Sequence, residues 1–197
     1  MTREAIERFK TEALLAAIKA QEIKNLNAAL EFALKITREK EKSPNLMPEV
    51  PDPAQGKKSL FFSGLDDERF EHYAQKALDE GFYVARDKCR SFCGGIDTAF
   101  SFGSLAIANG ATIIMDLLTE DERLATMISQ IHIIAIPNDR VVMDLKDAED
   151  FLADSFARQQ SYLSFISGSS RTSDIERVLT IGAHGPVELH VALLEEI

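Results

Sequence analysis

The sequence predicts an α/β domain that follows a helical arm and a proline-rich linker. From residue 59 onwards, short apolar runs of strand length alternate with amphipathic stretches of helical length. One of these runs, over 131–137, is apolar at most positions, which is typical of a central strand covered on both faces. Hydrophobic residues make up 45% of the 197 residues, enough for one substantial core.

Residues 1–42 carry apolar side chains at steps of three and four. This spacing predicts two packing helices with a break near Asn25, and an arm for oligomerisation or partner docking is the alternative. Residues 43–58 contain four of the six prolines, which fix φ and remove hydrogen-bond donors. They predict a linker, or an extended arm wrapped on the α/β domain of residues 59–197.

Within that domain each element follows from a local pattern. The predicted strands are 59–62, 82–85, 131–137, 163–167 and 187–194, and the predicted helices are 66–81, 119–130 and 147–160. The strand–helix–strand order over 59–85 predicts a parallel unit. The helical spacing assigns Leu78 and Phe156 to the inner faces of their helices. His132 and His190 lie inside predicted strands, which favours structural roles for both.

Two turn and cap signals fix the middle of the domain. Asn109-Gly110 lies between apolar runs and predicts a hairpin over Leu105–Met115 with a type I′ turn, in which both central residues need positive φ. Thr119 and Glu122 have the spacing of a capping box, which predicts that a helix begins there.

Composition excludes several classes of function. The formal net charge of −10 argues against a nucleic-acid partner and against docking on anionic lipid. Two cysteines are too few for a disulfide framework, and Cys89-x3-Cys93 is not a recognised metal spacing, so no metal site is predicted. No apolar run approaches the roughly 18 residues that span a bilayer, and the charged N-terminus lacks the apolar core of a signal peptide. The sequence therefore predicts a cytoplasmic protein without membrane insertion.

The strongest functional candidate is the turn-rich segment 167–186, which directly follows a predicted strand. Its small, hydroxyl-bearing or cationic residues are Gly168, Ser169, Ser170, Arg171 and Thr172. Such a loop can cradle an anion with backbone N–H groups, and an arginine fork suits carboxylate or phosphate. Ligands of open α/β sheets lie beyond the carboxyl ends of strands, which favours this position. A helix cap with a surface arginine is the structural alternative.

Further polar residues follow in the same segment. Asp174 and Glu176 are two apart and could share a face for acid–base work, but capping or ion pairing with Arg171 or Arg177 is the favoured interpretation. His184 lies between Gly182 and Gly185 on a tight backbone path. It could bind a ligand or shuttle protons, or its ring could satisfy nearby backbone groups.

Two blocks of this segment resemble the LUD domain family, of the lactate-utilisation protein C type. Ser-Gly-Ser-Ser-Arg-Thr-Ser-Asp-Ile-Glu at 167–176 resembles the family's Ser-Gly-Pro-Ser-x-Thr-Ala-Asp-Ile-Glu block. Ile-Gly-Ala-His-Gly-Pro at 181–186 resembles its Gly-Val-His-Gly-Pro block, and the spacing agrees. Residues 130–137 are similar to the family's central strand. The resemblance is good from Gly94 onwards, loose over 57–93, and does not cover the arm and linker.

The chain departs from the family at two points. The family usually carries an acid, then Ser or Thr, then Gly before the hairpin's second strand, whereas this chain has Ala108-Asn109-Gly110. The carboxylate is lost, together with any role it has. Ser169 replaces the family's proline, which makes the loop less rigid.

The resemblance implies a mainly parallel sheet with helices on both faces, similar to the NagB, RpiA and CoA-transferase group. It also implies a role in oxidising L-lactate to pyruvate beside iron–sulfur partner subunits, with no cofactor in this chain. The ligand-binding residues then expected are Gly168, Ser169, Ser170, Arg171, Thr172, Asp174, Glu176, Gly182, His184 and Gly185. The alternatives are a stand-alone enzyme or binding protein for a small anionic metabolite (phosphosugar, organic acid or CoA ester), or a non-catalytic interaction module. Homo-oligomerisation is left open.

Overall fold

The computed structural model describes residues 2–44, 47–172, 180–181 and 185–196. Within these ranges the helices are α1 (Thr2–Leu15), α2 (Leu26–Glu39), α3 (Asp67–Asp79), α4 (Glu120–Ile128) and α5 (Glu149–Ala157). The strands are β1 (Ile18–Ile23), β2 (Ser59–Phe62), β3 (Tyr83–Ala85), β4 (Ile96–Phe102), β5 (Leu105–Ile107), β6 (Thr112–Asp116), β7 (Ser129–Pro137), β8 (Val141–Val142), β9 (Leu163–Ile166), β10 (Arg171–Thr172), β11 (Thr180–Ile181) and β12 (Glu188–Leu194). Short 3-10 turns cover Cys89–Ser91, Asn138–Arg140 and Leu145–Ala148.

Six parallel strands form the main sheet, in the order β1-β12-β7-β4-β2-β3. β7, the predicted central strand, lies between β12 and β4. A second sheet has the order β8-β5-β6-β9, and β10 pairs with β11 in a short antiparallel hairpin. The predicted fold class, α/β with a mainly parallel sheet, is confirmed.

Helices cover both faces of the main sheet. On one face α2 and α3 enclose a core that includes Leu30, Phe62 and Phe100. On the other face α1 and the second sheet meet the main sheet around Phe9 and Ile113, and α4 packs beside them. The outer face of the second sheet carries α5. The second sheet is therefore a layer between the main sheet and α5.

The N-terminal segment contains a strand where the periodicity predicts helix. Residues 18–23 form β1, which pairs in parallel with β12 from Ile18 opposite Leu189 to Ile23 opposite Leu194. The helical expectation for these residues is wrong because pairing with a strand from the far end of the chain outweighs local propensity. As a result α1 and α2 lie on opposite faces of the sheet, where both contribute to its cores.

A buried carboxylate holds the proline-rich segment against the main sheet. Asp97, near the start of β4, is 6% exposed and accepts hydrogen bonds from Ser43 N at 2.6 Å and Ser59 N at 2.7 Å. The ammonium of Lys42 lies 3.7 Å from the same carboxylate. Ala54, in the middle of the segment, is also buried. The described part of this segment therefore packs on the domain.

Local signals place the central elements correctly but mispredict one turn. Thr119 caps α4 through a complete capping box with Glu122. β5 and β6 form the predicted antiparallel hairpin. Its positive φ angles fall at Gly110 (87°) and Ala111 (45°) instead of Asn109 and Gly110, so the type I′ expectation is wrong.

Two apolar side chains assigned to the core are instead exposed. Leu78 is 51% exposed because α3 buries Tyr73 and Ala77 against the sheet and turns Leu78 towards solvent. Phe156 is 72% exposed in the last turn of α5, beyond the part of the second sheet that α5 covers.

Candidate functional site

The two sequence blocks of the candidate site converge in space. Ser170 N donates to Pro186 O at 2.9 Å. Immediately after this contact, β10 and β11 pair with Arg171 opposite Ile181. A Cβ placed on Gly185 would lie 3.3 Å from Ser170 Cβ, so the two backbones are in close contact. The two blocks therefore lie side by side in the described part of the structure.

The loops do not lie at the carboxyl ends of the parallel strands, where ligands of open α/β sheets usually bind. Val187 N, just before β12, donates to Gln130 O at the start of β7, so the loops lie at the amino ends of the parallel strands. The expectation of a site beyond their carboxyl ends is therefore wrong for the main sheet. The reason is that β9, the strand before the loop, belongs to the second sheet. The carboxyl end of β9 lies near Ala16, at the end of the main sheet where its parallel strands begin.

A groove of about 360 Å³ opens between β9, the end of α4 and the two loops. Its described lining residues are Thr126, Met127, Ser164, Phe165, Ile166, Ser167, Gly168, Ser170, Gly185 and Pro186. Four of them carry hydroxyls. Thr126 Oγ1 donates to Arg123 O at 2.8 Å, and Ser167 Oγ lies 2.7 Å from Thr112 Oγ1 of β6. The groove therefore combines a hydroxyl-rich floor with apolar side chains, as small-molecule sites commonly do.

Gly168 is required by its backbone conformation and by its surroundings. Its φ is 116°, a region that residues with a Cβ rarely adopt. A Cβ there would lie 2.7 Å from Ala16 O, which belongs to the backbone before β1. The glycine thus lets the loop pass directly against the amino edge of the main sheet.

The structure brings part of the predicted set together. Gly168, Ser170 and Gly185 line the groove. Ser169 is described but lies outside the lining, and Arg171 and Thr172 are described only as the backbone of β10. The remaining predicted residues, Asp174, Glu176, Gly182 and His184, lie outside the described residues.

Sequence reasoning missed the other wall of the groove. Thr126 and Met127 lie in the last turns of α4, and Ser164 and Ser167 belong to β9 and its end. The sequence patterns around these residues predict a helix and a strand but give no sign that the two elements line a groove. The available signal was the serine-rich character of 161–170, which continues the hydroxyl-bearing loop back into the strand.

Position 108, where the family usually has an acid, is buried and apolar here. Ala108 is fully buried. The next residue, Asn109, accepts a hydrogen bond from Arg8 Nε at 2.9 Å and donates to Asp144 Oδ1 at 2.6 Å. The hairpin tip is therefore bonded to α1 and to the loop before α5, and it does not line the groove.

A charged cluster lies at the same end of the main sheet as the groove, where β12 begins. Glu188 accepts from Lys40 Nζ at 2.5 Å, pairs with Lys19, and has His190 Nε2 at 3.3 Å. Burial alone would raise the pKa of Glu188, but the two lysines outweigh it and hold that pKa at about 2. These contacts join β1, β12 and the end of α2.

Among the described residues, thiol and carboxylate groups form no metal centre. In the part of the chain that the structure describes, no three His, Cys, Asp or Glu side chains come together as ligands. Cys89 is buried, and its burial raises the pKa of the thiol to about 12, whereas Cys93 is exposed. Across the described helices, none has the length and apolar character needed to cross a bilayer.

The fold and the groove define a class: a mainly parallel α/β protein with a groove beside the amino ends of its parallel strands. A crystal structure of a DUF162 family protein from Deinococcus radiodurans has this fold, with a TM-score of 0.65 over 98% of both chains at 18% identity. The chain belongs to the LUD domain family, whose model matches residues 6–194. That match includes the arm and linker, which the motif resemblance leaves out.

Two curated relatives carry the name Lactate utilization protein C. The one from Deinococcus radiodurans is 33% identical over 99 residues, 50% of this chain and 46% of the relative. The one from Bacillus velezensis is 26% identical over 145 residues, 66% of this chain and 60% of the relative. The chain thus spans roughly half of the length of these relatives.

Proposed function

We propose that this protein takes part in lactate utilisation and binds a small organic anion in the groove between β9, α4 and the two loops. The observation that carries this proposal is the convergence of the two family blocks, through Ser170 and Pro186, on one hydroxyl-lined groove. Its relatives' name, Lactate utilization protein C, supports the choice of metabolite.

The chemistry of the groove suits holding an anion better than breaking a bond. Ser164, Ser167 and Ser170 bring hydroxyls, and Gly168 and Gly185 let the loop backbones pack closely at the groove. Arg171 follows directly in the chain and would supply the positive charge that a carboxylate needs. The loss of the family's acid at position 108 removes one candidate for proton transfer.

The proposal places electron transfer in partner proteins. Iron–sulfur clusters are usually held by four cysteine thiolates, and this chain has two cysteines. We therefore expect co-purification with iron–sulfur subunits, and lactate-dependent reduction of an acceptor only by the assembled complex. Deleting the gene should abolish growth on L-lactate and leave growth on glucose unchanged; normal growth on lactate would contradict the proposal.

The anion site has its own test. Thermal unfolding is measured for the wild type, Ser170→Ala and Ser161→Ala, with L-lactate, pyruvate and inorganic phosphate. Ser161 is an exposed serine just before β9 and outside the groove, so it is the matched control. A ligand at 100 times its Kd adds about 2.7 kcal/mol, so binding should be visible. The stabilisation should shrink in Ser170→Ala alone; an equal shift in all three proteins would place binding elsewhere.

The size of the groove favours a second candidate. Its volume of about 360 Å³ lies in the range of pockets that hold ligands larger than a three-carbon acid. A stand-alone enzyme or binding protein for a larger anion, such as a phosphosugar or a CoA ester, would use more of this space. Stronger stabilisation by such an anion than by lactate would favour this candidate.

A further inference from the structure

β9 has an open edge. Among the described strands, β6 pairs with β9 on one side, and nothing pairs with β9 on the other. In this register Leu117 is opposite Tyr162, and Leu117 N donates to Tyr162 O at 2.9 Å. Hydrogen-bonded and non-hydrogen-bonded pairs alternate along an antiparallel ladder. Ser164 therefore bonds to β6, whereas Phe165 directs its N–H and C=O away from β6.

The candidate groove lies on this open side of β9. Its lining includes Phe165 together with Thr126 and Met127 of α4, and no described residue of β6. The main-chain N–H and C=O of Phe165 therefore point into the groove, between β9 and α4. A donor and an acceptor from a single residue stand there side by side.

Apart from its short length of four residues, β9 lacks the sequence features that commonly protect an exposed strand edge. Natural edge strands are commonly blunted by lysine, proline or a bulge. The stretch from Tyr162 to Ser167 contains no charged residue and no proline. An unprotected edge that borders a groove of ligand size is suited to pairing with a ligand.

We propose that the main chain of Phe165 selects a 2-hydroxy acid over the matching 2-keto acid. The ligand carboxylate accepts the Phe165 N–H, and the ligand hydroxyl donates to the Phe165 C=O. A 2-keto acid offers only acceptors, so it leaves the Phe165 carbonyl unpaired against another oxygen. This inference rests on the proposed function, because it takes the groove as the organic-acid site. It adds that the site prefers lactate to pyruvate.

Isothermal titration of the wild type with L-lactate, pyruvate and 2-methoxypropanoate tests the selection. The methoxy acid keeps the carboxylate and the oxygen on C2 of lactate, but that oxygen is an ether and has no hydrogen to donate. We expect L-lactate to bind about tenfold more tightly than either of the other acids, which is the effect of one hydrogen bond of ordinary strength.

Two variants at one position separate main chain from side chain. Phe165→Pro removes the N–H of residue 165. Because this N–H faces away from β6, no hydrogen bond of the sheet is lost, which is why edge strands tolerate proline. The substitution should weaken lactate binding about tenfold. Phe165→Ala keeps the N–H and loses only the ring, so the loss of lactate affinity in Phe165→Pro should exceed the loss in Phe165→Ala about tenfold. Thermal unfolding of both variants checks that they fold.

The outcomes separate this inference from the proposed function. Equal affinity for the three acids, or equal weakening in Phe165→Ala and Phe165→Pro, overturns the selection by Phe165 and leaves the organic-acid site standing. Binding of none of the acids overturns the site and the inference together. If Phe165→Pro fails to fold, amide hydrogen exchange of the wild type decides: L-lactate should slow exchange of the Phe165 N–H, and unchanged exchange with bound lactate would overturn the inference.

Discussion

His132 shows how a single buried residue sets a pH dependence. Its Nε2 lies 2.6 Å from Ser101 Oγ, and among the described atoms its Nδ1 has no hydrogen-bond partner. Complete burial lowers the pKa of His132 to about 4, from an ordinary value of about 6.5. The unfolded chain therefore takes up a proton between pH 6.5 and 4 that the folded chain refuses, so stability falls as the pH drops through this range.

We expect His132 to remove at most about 3 kcal/mol of stability between pH 6.5 and 4. Urea unfolding of His132→Gln should show a shallower fall over that range, because glutamine takes up no proton. His72→Gln, which replaces an exposed histidine on α3, is the control and should keep the wild-type slope. An unchanged slope in His132→Gln would show that other groups cause the acid sensitivity.

Gly168 makes a second prediction at the residue scale. Gly168→Ala must place a Cβ 2.7 Å from Ala16 O and also adopt a φ of 116°, so we expect a loss of about 2–3 kcal/mol in the free energy of unfolding. Gly56→Ala is the matched control, since Gly56 also has positive φ (82°) but would meet nothing within 4 Å. It should lose only about 1 kcal/mol. Similar losses in both variants would mean that the contact with Ala16 is unimportant.

Among the elements, α1 tests whether the N-terminus is part of the fold. Phe9 is fully buried in the cluster between α1, the second sheet and the main sheet, whereas Leu14 on the same helix is 78% exposed. Phe9→Ala should lower the free energy of unfolding by about 3–5 kcal/mol, and Leu14→Ala by less than about 0.5 kcal/mol. Chemical denaturation measures both. A small loss in Phe9→Ala would restore the interpretation of a detachable arm.

The elements also show where sequence patterns suffice. β2, α3 and β3 carry their own signals, a short apolar run and a well-capped amphipathic helix, and the structure has them as predicted. β1 could not be predicted in this way. Its sequence, IKAQEI, favours helix as much as strand, and its state depends on pairing with β12, which lies some 170 residues further along the chain.

The same distinction applies to the candidate site. That Ser170 and Gly185 would come together follows from two recognisable blocks with fixed spacing. That Thr126 and Met127 form the opposite wall depends on how the second sheet stacks on the first, which no local pattern records. The predicted sheet edge was wrong for the same reason, since strand order alone does not reveal that β9 belongs to another sheet.

At the scale of the whole molecule, β12 joins the two ends of the chain. It lies between β1 and β7, and most of its side chains are fully buried. A chain that stops at Gly185 lacks this strand and leaves β1 without a neighbour. We expect no cooperative thermal transition by circular dichroism, because the core on both faces of the sheet is lost.

The matched truncation stops at Leu194 and keeps β12 whole. It removes the exposed Glu195 and Glu196, whose backbone N–H groups bond to Ile23 O and Lys24 O. This chain should still melt cooperatively, at a slightly lower temperature. Cooperative melting of the chain that stops at Gly185 would show that the main sheet can form without β12.

The position of β12 also bears on how the protein is made. During synthesis β1 and β7 both emerge from the ribosome before β12, the strand that must insert between them. Until residue 194 has emerged, β1 and β7 both present unpaired edges that other chains can bind. The nascent protein therefore completes its main sheet only after β12 has been translated. Between the synthesis of β7 and that of β12, we expect chaperones to bind the exposed strands.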